Sequence, residues 1–141
     1  MMNIDECLEE GFLRRVKPAA DIQKKEIDAA SYDIACAKIS LENKNHKWAI
    51  IQSYYAIFHA SRSILNKVGY LERRHFVIGV VLESLSKDGK MSKKLVSDFK
   101  AAMSAREDAD YGGVHSKETA EYIFKTAVEF IKETKIILKV I

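Results

Sequence analysis

Apolar residues recur every three or four positions along most of this chain, the signature of helices with one side turned inward. Ile4, Leu8 and Phe12 stand at that spacing and predict a short amphipathic helix over 3–15. Pro18 suits a first helical turn, and a long helix over about 19–43 is predicted after it, with Ile22, Ile27, Ile34 and Leu41 on its apolar side. Asn43-Lys44-Asn45 reads as a turn. Residues 46–68, HKWAIIQSYYAIFHASRSILNKV, are apolar nearly all round, so this helix is expected to be buried on several sides. Gly69 is its natural C-cap. A further helix is predicted over about 74–87, ending near Asp88-Gly89, and another over about 91–111, stopped by Gly112-Gly113. Ser116, with Glu118 and Thr119 behind it, opens a last helix that carries Ile123, Phe130, Ile137 and Leu138. No segment alternates with period two over a useful length, and there are no repeats or linkers. The expectation is an all-α fold: an antiparallel up-and-down helical bundle of about five main helices plus a short N-terminal helix, residues 1–141 forming one domain.

Composition narrows the setting. Apolar residues make up 48% of the chain, enough for a core, and one proline and six glycines argue against disorder. Cys7 and Cys36 form no CxxC pattern, which points away from zinc and disulfides and toward a reducing cytoplasm. The start MMNIDECLEE has no apolar run of the kind a signal peptide needs, and no apolar stretch is long enough to span a bilayer. The net charge of +3 is unevenly spread: residues 62–100 hold nine basic and four acidic side chains, while the flanking segments are each slightly acidic. A basic surface attracts phosphate or an acidic partner, although solvated lysines on exposed faces account for most such charges.

The densest polar cluster is AREDADYGG, 105–113. On a helix advancing about 100° per residue, Leu95, Val96, Phe99, Ala102 and Met103 share a side, and Arg106 and Asp110 fall in the middle of that same side. Glu107 lies at its edge and Asp108 points to solvent. A lone charge in such a stripe costs several kcal/mol, roughly, unless paired. Arg106 and Asp110 are four apart and can pair, with the arginine first, the weaker order for an exposed helix pair. The bland reading is a buried or interfacial ion pair that fixes packing, and the sharper one is a site; both stand at this point. Tyr55, His59 and Arg62 interrupt the apolar central helix on one face and are candidate partners. A lone histidine there is more often a satisfied core residue than a ligand.

Several stretches together resemble one family. FLRRVKP at 12–18, KWAIIQSYYAIFHASRSIL at 47–65, VGYLERRH at 68–75 and REDADYG at 106–112 are similar in kind and order to the HEPN domain, the higher-eukaryote and prokaryote nucleotide-binding family, in its small stand-alone prokaryotic branch. The resemblance covers nearly the whole chain and rests on YYAxFHA followed by RxxADY. It implies an antiparallel helical bundle, usually a homodimer, with the arginine segment near the dimer cleft. It also implies a minimal nucleotidyltransferase partner in a toxin–antitoxin or defence module. Some members are metal-independent endoribonucleases whose motif is arginine, four residues, then histidine.

Arg106 matches that arginine, but Tyr111 stands where the histidine belongs, and His115 lies beyond the double glycine. Metal-free RNA cleavage needs a cation to hold the charged phosphorane, which arginine suits, and a base for the 2′-hydroxyl, which histidine suits. Tyrosine, with a reference pKa of about 10, is a poor base at neutral pH, although it can donate a hydrogen bond or stack on a nucleobase. His59 or His75 is a candidate substitute.

Three functions remain open on the sequence. The leading expectation is a nucleotide- or RNA-associated binding module in which Arg106 meets a phosphate, Asp110 orients it and Tyr111 lines the pocket, with Tyr55, His59, Arg62 and His75 as accompanying motif residues. The alternatives are a metal-independent endoribonuclease, with Arg106 as phosphate stabiliser and Tyr111 in the catalytic position, and a purely structural dimerisation module. No cofactor motif is present: there is no GxGxxG, P-loop, HExxH or nucleophile elbow, and the four histidines are too scattered to assert a metal site.

Overall fold

The computed structural model describes residues 2–141. Helix α1 spans Ile4–Glu9 and is followed by a short strand, β1, Leu13–Arg15. The long helices α2 (Ala20–Glu42) and α3 (His46–Lys67) come next, then strand β2 (Tyr70–Glu72). Helices α4 (His75–Lys87), α5 (Lys93–Tyr111) and α6 (Lys117–Val140) complete the chain. The fold is an all-α helical bundle of five main helices and one short N-terminal helix, as the periodicity predicts.

The N-terminal helix is shorter than expected. Asn3 and Glu6 form a reciprocal capping box that starts it, but it ends at Glu9. Gly11, at φ 75°, turns the chain back, and the Phe12 N–H donates to the Cys7 carbonyl. Phe12 therefore leaves the helix, and Leu13–Arg15 pair antiparallel with Tyr70–Glu72, Leu13 opposite Glu72 and Arg15 opposite Tyr70. Three residues per strand are too few for alternation to register in the sequence. What makes the ribbon is the α3–β2 turn, where Gly69 at φ 91° offers its carbonyl to the Val16 N–H at 2.9 Å.

Helix α3 is the axis of the bundle. It buries fourteen of its 22 residues, because α2, α5 and α6 all pack against it. Tyr54, Ile50, Ile57 and Ile64 of α3, Ile78 and Leu82 of α4, Phe99 of α5, and Ile123 and Phe130 of α6 are fully enclosed. Burying side chains of this size stabilises the fold by about 1.5–3 kcal/mol each. Helix α2 departs from its expected face: Ile22 is exposed, Ile27, Ile34 and Leu41 are half-buried, and the residues sealed against the bundle are Ala30 and Ala37. Small side chains let α2 lie close to α3, leaving its larger apolar residues at the margins of the contact. The two helices are also tied at one end, where Asn66 Oδ1 accepts from the Ala19 N–H at 2.9 Å and from Gln23 Nε2 at 3.0 Å. Asn66 thereby holds the start of α2, whose N-cap Ala19 has no side chain to cap it, against the end of α3. Among the described residues, no helix is long and apolar enough to cross a membrane.

Candidate functional site

The apolar side of α5 carries Leu95, Val96, Phe99 and Ala102 into the core, and the next turn on the same side presents Arg106 and Asp110. The helical projection therefore holds. Arg106 Nη2 lies 3.5 Å from Asp110 Oδ2 and donates to the Tyr55 hydroxyl at 3.3 Å. Its guanidinium carbon sits 5.8, 5.7 and 5.7 Å from the ring centroids of Tyr54, Tyr55 and Tyr111, so three aromatic rings frame one cation. Arg106 Nε is buried without a hydrogen-bond partner. A guanidinium carries five N–H donors in a rigid fork, and the protein claims only those on Nη2.

Tyr111 differs from the other two rings. It occupies the last turn of α5 and is 77% exposed. The helix stops immediately after it, with both Gly112 and Val114 donating their N–H groups to the Asp108 carbonyl. The phenol thus stands at the open side of Arg106, while Tyr54 and Tyr55 form the inner wall.

Behind that wall is His75, the first residue of α4. Its Nδ1 lies 2.7 Å from the hydroxyl of Tyr54, and its ring centroid is 4.4 Å from that of Phe58, tilted by 32°. Tyr54 is fully buried, and burial pushes its phenol well above the ordinary tyrosine range, so the hydroxyl keeps its proton. His75 has no other bond to Nδ1, and burial, followed by the positive charges of Arg106 and Arg62, holds it below the usual histidine pKa. The direction of that bond depends on the imidazole tautomer: with its proton on Nε2, a neutral His75 accepts the Tyr54 O–H at Nδ1. In that tautomer Nδ1 is occupied and the remaining ring nitrogen is a donor, not a base.

The remaining candidates gather elsewhere. His59 Nδ1 lies 2.8 Å from Glu26 Oε2, and its Nε2 is 3.6 Å from Asp33 Oδ2. Arg62 Nε bonds Glu72 Oε1 at 3.0 Å, and its Nη1 is 3.6 Å from Glu26 Oε1. This is a clamp joining α2, α3 and β2. Burial is the leading influence on Glu72, whose carboxyl is pushed above the ordinary range while Arg62 pulls it back. Asp33 is raised for the same first reason, with His59 lowering it. Of Tyr55, His59 and Arg62, only Tyr55 meets Arg106; the other two point to α2 and the ribbon.

Sequence reasoning missed Tyr54, Glu26, Asp33 and Glu72. The doublet Tyr54-Tyr55 in an apolar helix was a usable signal for the first, since a buried phenol needs a partner for its hydroxyl. The three carboxylates sit on distant segments, and nothing local marks them. Among the described residues, no group of three or more histidine, cysteine or carboxylate side chains is arranged to hold a metal ion.

Residues 24–137 match the sequence model of the HEPN domain. The chain belongs to the HEPN family. The matched span runs from the second turn of α2 into the last turn of α6 and contains every residue of both the Arg106 cluster and the His59–Arg62 clamp. A search of curated proteins finds no match to this HEPN chain.

Proposed function

We propose that this HEPN domain is a nucleotide- or RNA-binding module in which Arg106 receives a phosphate. The observation that carries this reading is the state of the guanidinium: one nitrogen is engaged by Tyr55 and Asp110, and Nε is buried and unpaired. The protein's bonds use only Nη2 of the fork, and a phosphate oxygen pairs with an accessible guanidinium donor through a charge-assisted bond. Asp110 orients Arg106 from one side. The exposed ring of Tyr111 offers a face on which a base stacks.

Binding is favoured over cleavage by the lack of a base. Tyr111 is a phenol, and Nδ1 of His75 is engaged by the Tyr54 hydroxyl. Family membership supports a homodimer working beside a minimal nucleotidyltransferase in a toxin–antitoxin or defence-like module, and we include that setting in the proposal.

The test compares the wild type with Arg106→Ala, titrated with labelled RNA and with nucleotides, and incubated with RNA in EDTA. The expected result is binding that weakens by about tenfold or more in the variant, with no cleavage by either protein and an unchanged helical spectrum. Equal affinity of the two proteins would reduce Arg106 to a structural role. Chelator-resistant cleavage that disappears in Arg106→Ala would replace this reading with the ribonuclease one.

A further inference from the structure

The β1–β2 ribbon gathers charges that are far apart in sequence. In an antiparallel pair, residues opposite one another share a face, and the faces alternate along each strand. Leu13 and Glu72 are opposite and both buried, so that face is turned inward. Arg14, opposite Leu71, lies on the outer face. Arg73, whose N–H donates to the Phe12 carbonyl at 2.8 Å, continues the ladder by one position and returns to that same outer face. Arg14 and Arg73 are therefore diagonal neighbours, about 7–8 Å apart. Arg74 joins them, its guanidinium carbon 5.6 Å from the ring centroid of Phe12. At the other end Arg15 lies 5.6 Å over Tyr70.

All four arginines are exposed, and among the described residues none is in an ion pair. The carboxylate within the ribbon, Glu72, is turned inward and held by Arg62. Glu9 and Glu10 precede the ribbon, but neither pairs with it. Like charges placed side by side on a strand pair repel, and nothing inside the molecule offsets that repulsion. A stackable ring lies beside them: Phe76, 43% exposed, packs edge-on against Phe12 at 5.9 Å.

We propose that the outer face of this ribbon is a second contact for single-stranded RNA, leading to the Arg106 cleft. Arg14, Arg73 and Arg74 take backbone phosphates, and Phe76 offers a face to an unpaired base. Arg74 immediately precedes His75, which bonds the buried Tyr54 whose ring packs against Arg106, so the ribbon and the Arg106 cluster are joined through one buried contact. A groove-free surface of three residue pairs does not enclose a duplex, whereas cations interleaved with rings suit an unpaired strand. This proposal rests on the RNA-binding reading above and extends it to a defined surface.

The experiment measures binding of a fluorescent, unstructured RNA oligonucleotide by anisotropy at several salt concentrations. Wild type, Arg14→Gln/Arg73→Gln/Arg74→Gln and Arg106→Ala are compared, with a free mononucleotide as a second probe. Each phosphate contact contributes about 0.7 to the slope of log K against log salt. The triple variant should lose about 2 from that slope and bind the oligonucleotide at least tenfold more weakly, while its mononucleotide affinity stays at the wild-type value. An unchanged slope in the triple variant overturns the ribbon proposal, and so does equal competition by polyglutamate, which would mark the face as a site for an acidic protein. Failure of the cleft reading looks different: Arg106→Ala then leaves both probes unaffected. Circular dichroism melts on every variant show whether lost binding reflects lost structure, and a single Arg14→Gln variant, on the exposed strand face, gives the slope change of one contact if the triple variant does not fold.

Discussion

The hydroxyl of Tyr54 lies 2.7 Å from Nδ1 of His75, joining the central helix to the first residue of α4 directly behind the Arg106 guanidinium. That one bond occupies Nδ1 of His75 and thereby limits what the imidazole can do. Its consequences can be measured.

Tyr54→Phe removes the donor and leaves Nδ1 unpaired in a half-buried setting. The variant should lose about 1–2 kcal/mol of stability, read from urea unfolding. Nitrogen chemical shifts of the imidazole should show the Nε2–H tautomer in the wild type at neutral pH and a mixture of tautomers in Tyr54→Phe. A wild-type His75 protonated on Nδ1 alone would refute the assignment and restore Nε2 as a candidate base.

The depressed pKa of His75 also sets a pH dependence. Its ordinary value is 6.5, and burial first, then Arg106 and Arg62, hold it lower in the native state. As pH falls through 6.5 the unfolded chain takes up a proton before the native one does, so stability is full above that point and is lost between 6.5 and the lower native value. Asp33 and Glu72 are raised and act in the opposite direction, adding stability as pH falls toward their native values, above the ordinary 3.8 and 4.5. Urea midpoints at about pH 7.5 and 5.5 should therefore separate for the wild type and draw together in His75→Asn. Equal separation in both proteins would mean that another group is responsible.

The His59–Arg62 clamp predicts a purely structural effect. Arg62→Ala strands the buried Glu72 carboxylate, which should cost about 2–4 kcal/mol. Replacing both, as Arg62→Leu with Glu72→Leu, should recover much of that loss, because the penalty comes from the unpaired charge and not from the missing attraction. RNA affinity of any folded Arg62 variant should stay within about twofold of wild type, since Arg62 does not touch the Arg106 cluster.

Tyr111 is the position at which chemistry would be gained. Tyr111→His puts an imidazole of near-neutral pKa at the open side of Arg106, where the phenol is 77% exposed. RNA incubated in EDTA should be cleaved by this variant, slowly and with a rate that rises between about pH 5.5 and 7.5. Tyr111→Phe should keep the RNA affinity of the wild type, because stacking needs the ring and not the hydroxyl. An inactive Tyr111→His with intact binding would show that the cleft holds phosphate in a geometry unsuited to attack.

The bundle itself was legible in the residues because helices are local. The spacing of Leu95, Val96, Phe99 and Ala102 determines which side of α5 is buried, and the same arithmetic carries Arg106 and Asp110 onto that side. The all-apolar run of α3 likewise required partners on several sides, and three helices supply them. What tertiary structure alone decided are the pairings between segments. Tyr55, His59 and Arg62 look equivalent along one helix, yet Tyr55 turns to Arg106 while the other two are claimed by Glu26, Asp33 and Glu72. The residues of FLRR and YLERR are separated by the whole of α2 and α3, and become neighbours because those helices fold back on each other at Asn43–Lys44–Asn45 and Gly69 turns the chain into β2. Periodicity reports the direction in which a side chain points relative to its own helix axis. It carries no information on which other segment fills the space there, and in this molecule the chemistry of the cleft and of the ribbon is set by those neighbours.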